Sequence, residues 1–145
     1  MIREACLDDV DSLVELEELC FEHDRFHRRQ LRYLLTKAQG KLLVYEKAGQ
    51  VSGALILSWR KNSSVARITS VAVRPEYRSQ RIGTVLVNKA EDIARARGLK
   101  KINLEVRLDN NKAISFYEGC GYTRMSLQPD YYVDGMTGIC YQKLL

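Results

Sequence analysis

Apolar and polar residues alternate along this chain in two rhythms. Val10, Leu13, Val14, Leu16, Glu17 and Cys20 recur mostly three and four positions apart, and Asp8 and Asp9 precede them as carboxylate caps for a first turn. That spacing predicts an amphipathic helix, and a second helix covers Arg28 to Lys37 and ends at Gly40. Lys41 to Lys47 and Val51 to Trp59 have strand-like composition and meet across Ala48-Gly49-Gln50, a hairpin by its turn chemistry. A third strand run, Ser64 to Val73, stops at Pro75, which has no amide proton for a ladder.

The strongest helical period comes next. Ile82, Val85, Leu86, Ala90, Ile93, Ala94 and the stem of Arg97 form one stripe, and Gly98 supplies the stop. Leu99 to Arg107 then reads as a strand, with Ile102, Leu104 and Val106 on one face and Asn103, Glu105 and Arg107 on the other. A short helix over Asn110 to Glu118, ended by Gly119 or Gly121, and two closing strands near Tyr122–Leu127 and Gly138–Leu144 complete the order. No linker, repeat or low-complexity tract interrupts it, so one α/β domain over residues 1–145 is expected.

Composition narrows the class. The length, 145 residues, suits one domain, and 46% hydrophobic with 28% charged residues is globular rather than disordered or fibrous. No run approaches the ~18 apolar residues of a membrane span. Met1-Ile2-Arg3-Glu4-Ala5-Cys6 leads straight into charged sequence without a signal peptide's apolar stretch, so a cytoplasmic protein with no membrane partner is expected. Cys6, Cys20, Cys120 and Cys140 form no C-x-x-C pair and read as reduced thiols, mostly buried as small hydrophobes. The balance of 23 basic to 18 acidic residues, net +5, points to an anionic partner. Basic residues occur along the whole chain without a recognised nucleic-acid-binding module, which argues against DNA or RNA. His23 and His27 stand four apart near Asp24, a spacing compatible with metal, but two imidazoles alone make a poor zinc site and no metal is expected.

Candidate chemistry concentrates where the third strand runs into the strong helix. The first amide protons of a helix have no internal partners and carry partial positive charge. A strand–loop–helix junction with Gly83 and three arginines (Arg74, Arg78, Arg81) is therefore a phosphate cradle or, in the plainer alternative, a solvated connector.

Val73-Arg74-Pro75-Glu76-Tyr77-Arg78-Ser79-Gln80-Arg81-Ile82-Gly83-Thr84 resembles the acetyl-CoA motif Q/R-x-x-G-x-G/A of GNAT-type N-acetyltransferases. Arg78 matches its first position and Gly83 its second glycine, while Arg81 stands where the family has its first glycine. Leu104-Glu105-Val106-Arg107, Asn110, Ala113, Phe116-Tyr117-Glu118 and Gly121-Tyr122 resemble the signature of the branch that contains ribosomal-protein-alanine and archaeal N-terminal acetyltransferases. Asp130-Tyr131-Tyr132-Val133-Asp134-Gly135 is similar to the tail of that branch. The resemblance implies a GNAT-like fold, a mixed central sheet of about 6–7 strands flanked by about 4 helices, with middle strands that splay to admit CoA. It also implies acetyl transfer from acetyl-CoA to a primary amine by direct attack in a ternary complex, no motif cysteine being present to carry the acyl group.

By the same resemblance, Val71, Ala72 and Val73 pair with the pantetheine arm, and the Val73 amide polarises the thioester carbonyl. Arg78, Ser79, Gln80, Arg81, Ile82, Gly83 and Thr84 hold the pyrophosphate, and Asn110 contacts the CoA arm. Glu105 is implied as general base and Tyr117 as the acid for the leaving thiolate. On the residues alone Glu105 is a solvent-facing glutamate, Tyr117 a core aromatic beside Phe116, and Asn110 a helix cap. Phe21 to Arg29 falls where the family's substrate loop lies but lacks the Pro-aromatic element of several relatives, and Tyr131 and Tyr132 either wall the acceptor groove or pack the last hairpin. A protein or peptide N-terminus is the expected acceptor, with a small-molecule amine, a lysine side chain or an inactive CoA-binding module as alternatives. A monomer or homodimer is expected.

Overall fold

A computed structural model describes residues 1–145 as a seven-stranded mixed sheet with four α-helices. The strands are β1 (Ile2–Glu4), β2 (Gly40–Lys47), β3 (Gln50–Trp59), β4 (Val65–Val73), β5 (Lys101–Arg107), β6 (Thr123–Gln128) and β7 (Gly138–Leu144). The helices are α1 (Val10–Cys20), α2 (Arg28–Thr36), α3 (Ile82–Ala96) and α4 (Asn111–Gly119). Across the sheet the order is β1-β2-β3-β4-β5-β7-β6, and every neighbouring pair is antiparallel except β4–β5. No helix is long and apolar enough to cross a membrane.

The β2–β3 hairpin closes through Ala48 and Gly49, with φ of 54° and 72°, the two left-handed residues a primed two-residue turn requires. Gly98 ends α3 at φ 77°, as its position predicts. The strand β1 is absent from the periodicity, since three residues carry no pattern. It is held by pairing with β2 and by Arg3, which donates to both Asp9 carboxylate oxygens at 2.8 Å. Asp9 also accepts from the Cys6 amide at 2.8 Å, so its carboxylate reaches back to β1 instead of capping α1. The Arg3 guanidinium lowers the Asp9 pKa to about 2.

Two cores lie on opposite faces of the sheet. Under α3 and α4 pack Leu55, Leu86, Val87, Ile102, Leu104, Ile139 and Tyr141, while under α1 and α2 pack Leu13, Leu16, Leu31, Val44 and Ile56. The stripe on α3 is shifted from the predicted one. Val85 is 40% exposed and Val87 fully buried, because the helix faces the sheet through Ile82, Leu86, Val87, Ala90 and Ala94. At Gly53 on β3, a methyl group would sit 2.9 Å from Ile82 and 3.2 Å from Leu86, so the bare backbone there lets the N-terminal turn of α3 lie close on the sheet. Buried Glu91 of α3 accepts from the Tyr122 hydroxyl at 3.0 Å and from Lys143 at 3.1 Å, tying helix to sheet. The cysteines depart from expectation: Cys6 is exposed and Cys20, Cys120 and Cys140 are only half-buried, all as free thiols.

The parallel junction positions the site. Only Val65–Lys101, Ala66–Ile102 and Arg67–Asn103 pair between β4 and β5. Beyond them the strands separate, β4 carrying an irregularity in its ladder with β3 between Ile68 and Ser70.

Candidate active site

Separation of β4 from β5 opens a cleft of about 620 Å³, bounded by the loop before α2, the N-terminus of α3, β5 and α4. Which backbone groups face it follows from the β3–β4 ladder. The Arg74 amide donates to Ser52 O at 2.8 Å, which identifies Ser52 and Arg74 as a hydrogen-bonded pair. Antiparallel pairs alternate, so Ala54 and Ala72 are likewise bonded, whereas Val71 and Val73 direct their backbone groups away from β3 into the gap. The Val73 carbonyl accepts there from Arg78 Nε at 3.2 Å and from the Cys20 thiol at 3.3 Å. Of the three consecutive strand residues, Val71 and the Val73 amide face the cleft, the Val73 carbonyl is taken by Arg78 and Cys20, and the main-chain groups of Ala72 are engaged by β3.

The strand–helix junction supplies the cleft's cationic end. Ser79 and Arg81 hold φ of 67° and 62°, left-handed values unusual for residues with side chains. Arg81 is the N-cap of α3, and the amides of Ile82, Gly83 and Thr84 follow as the helix's unpaired donors. Arg78, Ser79, Arg81, Ile82, Gly83 and Thr84 all line the cleft, joined from α4 by Lys112. Gln80 does not: its side chain accepts from Lys47 across the loop. Arg74 also lies elsewhere, bound to Glu15 at 2.8 Å and Glu76 at 3.4 Å, so two of the three junction arginines line the cleft. A methyl at Gly83 would stand 3.2 Å from the Phe116 ring, so glycine here admits α4 as well as opening the helix end.

Opposite, β5 presents Glu105 and α4 presents Tyr117. Glu105 lies on the polar face, as alternation predicts, with its side chain 13% exposed and 2.7 Å from Arg67. Burial raises its pKa, and the guanidinium partly opposes that. The Tyr117 ring is buried edge-on against Phe116 at 5.0 Å and Tyr122 at 5.9 Å, and burial raises its pKa too. Tyr117 lines the cleft, and its hydroxyl, which makes no hydrogen bond within the protein, is not sealed off. Asn110 both lines the cleft and caps α4, its side chain accepting from the Ala113 amide at 3.1 Å.

The other end of the cleft is built by residues whose partners are far apart in sequence. Arg107 donates to Asp24 at 3.0 Å, to Asp109 at 3.2 Å and to Asp134 at 2.6 Å, and lies 4.9 Å from the centre of the Tyr132 ring. One guanidinium thus ties the loop before α2, the β5–α4 turn and the β6–β7 loop together. Tyr132 lines the cleft with its pKa pushed up to about 12 by burial, whereas Tyr131 covers Gly138 and accepts from Arg67 at 2.8 Å. Tyr132 thus walls the cleft, and Tyr131 packs the last hairpin. His23 lines the cleft, and His27 begins α2, its amide donating to Gln30.

Two further residues of the cleft, Cys20 and Glu17, and one behind its wall, Arg67, escape sequence reasoning. Arg67 bridges Glu105 and Tyr131, Cys20 sits beside Val73, and Glu17 is only 5% exposed on the side of α1 facing the gap. Glu17 accepts from the Phe26 amide at 2.8 Å, anchoring the loop that carries His23 and Asp24. Its place in the α1 stripe, at a position otherwise apolar, is the one sequence signal that could have found it.

Residues 10–122 match the acetyltransferase (GNAT) family, and the chain belongs to that family. It is 29% identical over 133 residues to a Bacillus subtilis protein bearing the name [ribosomal protein bS18]-alanine N-acetyltransferase, covering 92% of this chain and 87% of the relative. An N-alpha-acetyltransferase of Sulfurisphaera tokodaii is 26% identical over 145 residues, covering 92% and 86%. The crystal structure of Ard1 from Thermoplasma volcanium superposes with a TM-score of 0.90 at 25% identity, covering 100% of this chain and 97% of that one. The seven strands and four helices are those of the GNAT fold, and the protein is an acetyltransferase of a family that uses acetyl-CoA.

Burial raises the Glu17 pKa from 4.5 to about 6. A carboxyl raised in the folded state adds stability that is complete below its unfolded pKa and disappears as pH climbs through the folded one. Between pH 4.5 and 7 the native protein should therefore lose about 1–2 kcal/mol relative to a Glu17→Gln variant. Urea titrations of both proteins across that range check this; parallel stability curves would contradict it.

Proposed function

We propose that this protein transfers the acetyl group of acetyl-CoA to a primary amine, the acceptor being the N-terminal α-amine of a protein of the ribosomal-protein-alanine kind. The observation that carries the reading is one cleft in which free main-chain groups of a split strand, a cationic helix end, Glu105 and Tyr117 all meet. A thioester with a long diphosphate-bearing arm fits that arrangement. The amides of Ile82, Gly83 and Thr84, with Arg81 and Lys112 beside them, suit the pyrophosphate, and Val71 and Val73 suit the amide-rich arm. The names of the Bacillus and Sulfurisphaera relatives support a protein N-terminus as acceptor. The reading takes the enzyme to be cytoplasmic and to work as a monomer or homodimer.

In this mechanism the Val73 amide polarises the thioester carbonyl. A free α-amine has a pKa of about 8, so much of it is protonated at neutrality, and Glu105 takes up that proton directly or through water. Attack forms the amide C–N bond and breaks the C–S bond. Tyr117 gives its hydroxyl proton to the departing thiolate, and burial keeps that hydroxyl protonated across the working range. Attack is direct. Cys20 is the one thiol on the cleft, and burial raises its pKa, which keeps it in the unreactive protonated form instead of activating it as an acyl carrier.

Thiol release from acetyl-CoA, measured over a panel of peptides, lysine-containing peptides and small amines, tests the reading; N-terminal peptides are expected to give the highest kcat/KM. Glu105→Gln should flatten the acidic limb of the pH–rate profile, and an unchanged limb would assign the proton to another group. Tyr117→Phe should lower turnover by a decade or more with acetyl-CoA binding nearly intact, and undiminished turnover would remove it as the acid. Arg81→Gly changes charge without changing path, because residue 81 already holds a glycine-like φ. Its acetyl-CoA dissociation constant should rise about three- to tenfold, more at low salt, and calorimetry at two ionic strengths would expose the error if it did not.

A further inference from the structure

The densest run of positive charge lies on and around α2. Residues 25–37 contain Arg25, Arg28, Arg29, Arg32 and Lys37 and no carboxylate. Residues 93–104 come next, with Arg95, Arg97, Lys100 and Lys101 and no carboxylate. On the helix, Arg29, Arg32 and exposed Tyr33 point away from Leu31, which is buried in the core. Elsewhere Arg3, Arg67, Arg74, Arg95 and Arg107 are engaged by carboxylates, while Arg78 lies against Val73 and Cys20 and Arg97 over the Trp59 ring. In this segment only Arg28 has such a partner, Asp11 at 2.5 Å, while Arg25, Arg29, Arg32 and Lys37 make no ion pair.

Position gives this charge a use. Phe26, whose amide binds Glu17, lines the cleft, and the Arg25 charge lowers the Glu17 pKa against burial. Unpaired guanidinium groups therefore begin at the acceptor mouth and continue outward along α2. Nine helical residues extend roughly 13 Å, the reach of about four residues of extended chain. Around the ledge stand carboxylates, Asp11 at its side and Asp24 and Asp134 at the mouth, which would repel a phosphate backbone continuing past it. A short acidic stretch of polypeptide fits these limits better than a nucleic acid strand.

We infer that the solvent face of α2 is a docking ledge for acidic side chains of the acceptor polypeptide, a few residues downstream of the amine that enters the cleft. The inference rests on the acceptor being a polypeptide N-terminus. Exposed ion pairs contribute little singly and are screened by salt, so the ledge acts on KM, through several contacts, and only at moderate ionic strength.

The test uses the full chain and three peptides with the same first three residues, followed by an acidic, a neutral amide or a basic stretch. The acidic peptide should show a KM about three- to tenfold below the neutral one at low salt with kcat unchanged, the gap closing near ~0.5 M salt. An Arg29→Glu/Arg32→Glu variant should favour the basic peptide and acetylate the neutral one as the parent protein does. Equal KM values at low salt, or an acidic preference that survives in the variant, overturn the ledge while leaving N-terminal acetylation standing. A single-stranded RNA oligonucleotide that binds the parent protein more tightly than the acidic peptide, and not the variant, overturns it in favour of nucleic acid. If no peptide is acetylated while small amines are, the N-terminal reading fails and the ledge with it.

Discussion

Everything in this molecule depends on two strands that stop pairing. Strand β4 belongs to an antiparallel half with β1, β2 and β3, and β5 to another with β7 and β6; three residue pairs join the halves. A parallel pair that separates leaves main-chain donors and acceptors without partners, a cost tolerated only where something else keeps the strands fixed. Here each strand is held from its outer side. The β3 ladder runs up β4 to Val73, and β7 pairs with β5 over its whole length. The helix α3 spans the junction, close on β3 at Gly53 and packed under β5 through its apolar face. The gap is therefore braced from both sides, with Val71 and the Val73 amide facing into it.

Side chains then give the gap a direction. One end is the start of α3 with Arg81 and Lys112; the other gathers Glu17, Glu105, Asp24 and Asp134, with Arg25, Arg67 and Arg107 among them. In the proposed reaction this difference in charge would orient the substrate pair, the anionic arm toward the helix and the ammonium toward the carboxylates. Arg107 matters most to the second end. Removing it would leave three carboxylates from three loops facing one another, so the same guanidinium that stacks on Tyr132 also keeps the mouth assembled.

The elements with a full period were legible from sequence, and the residues of the motif at Arg78–Gly83 that line a cleft share it with Glu105 and Tyr117. What failed did so for identifiable reasons. Three residues of β1 have no period, and their strand state comes from β2 and from Arg3 reaching Asp9. Val85 fits a three-residue step from Ile82 but turns outward, because the face of α3 is set by Gly53 and not by the helix alone. Gln80 and Arg74 belong to the junction motif by position, yet Lys47 and Glu15, distant in the chain, draw them off. The partners of Arg107 include Asp24, 83 residues earlier, and no spacing rule links them. Arg67 and Cys20 likewise acquire meaning only once β4, β5 and α1 are brought together.

The departure at Arg81 shows how sequence and structure constrain each other. A glycine motif is usually explained by a left-handed backbone that only glycine adopts cheaply, and by room for a phosphate close to the chain. In this protein the left-handed turn persists with a side chain present, and a neighbouring residue, Ser79, takes the same conformation. The loop is thus imposed by its ends, the β4 strand held by β3 and the α3 helix seated on Gly53, and not by the residue at the turn. Strain of roughly 1–3 kcal/mol per such residue is then a cost carried by the packed core on both sides. It leaves a guanidinium beside the unpaired amides of the helix end, an arrangement that suits the diphosphate of the proposed co-substrate.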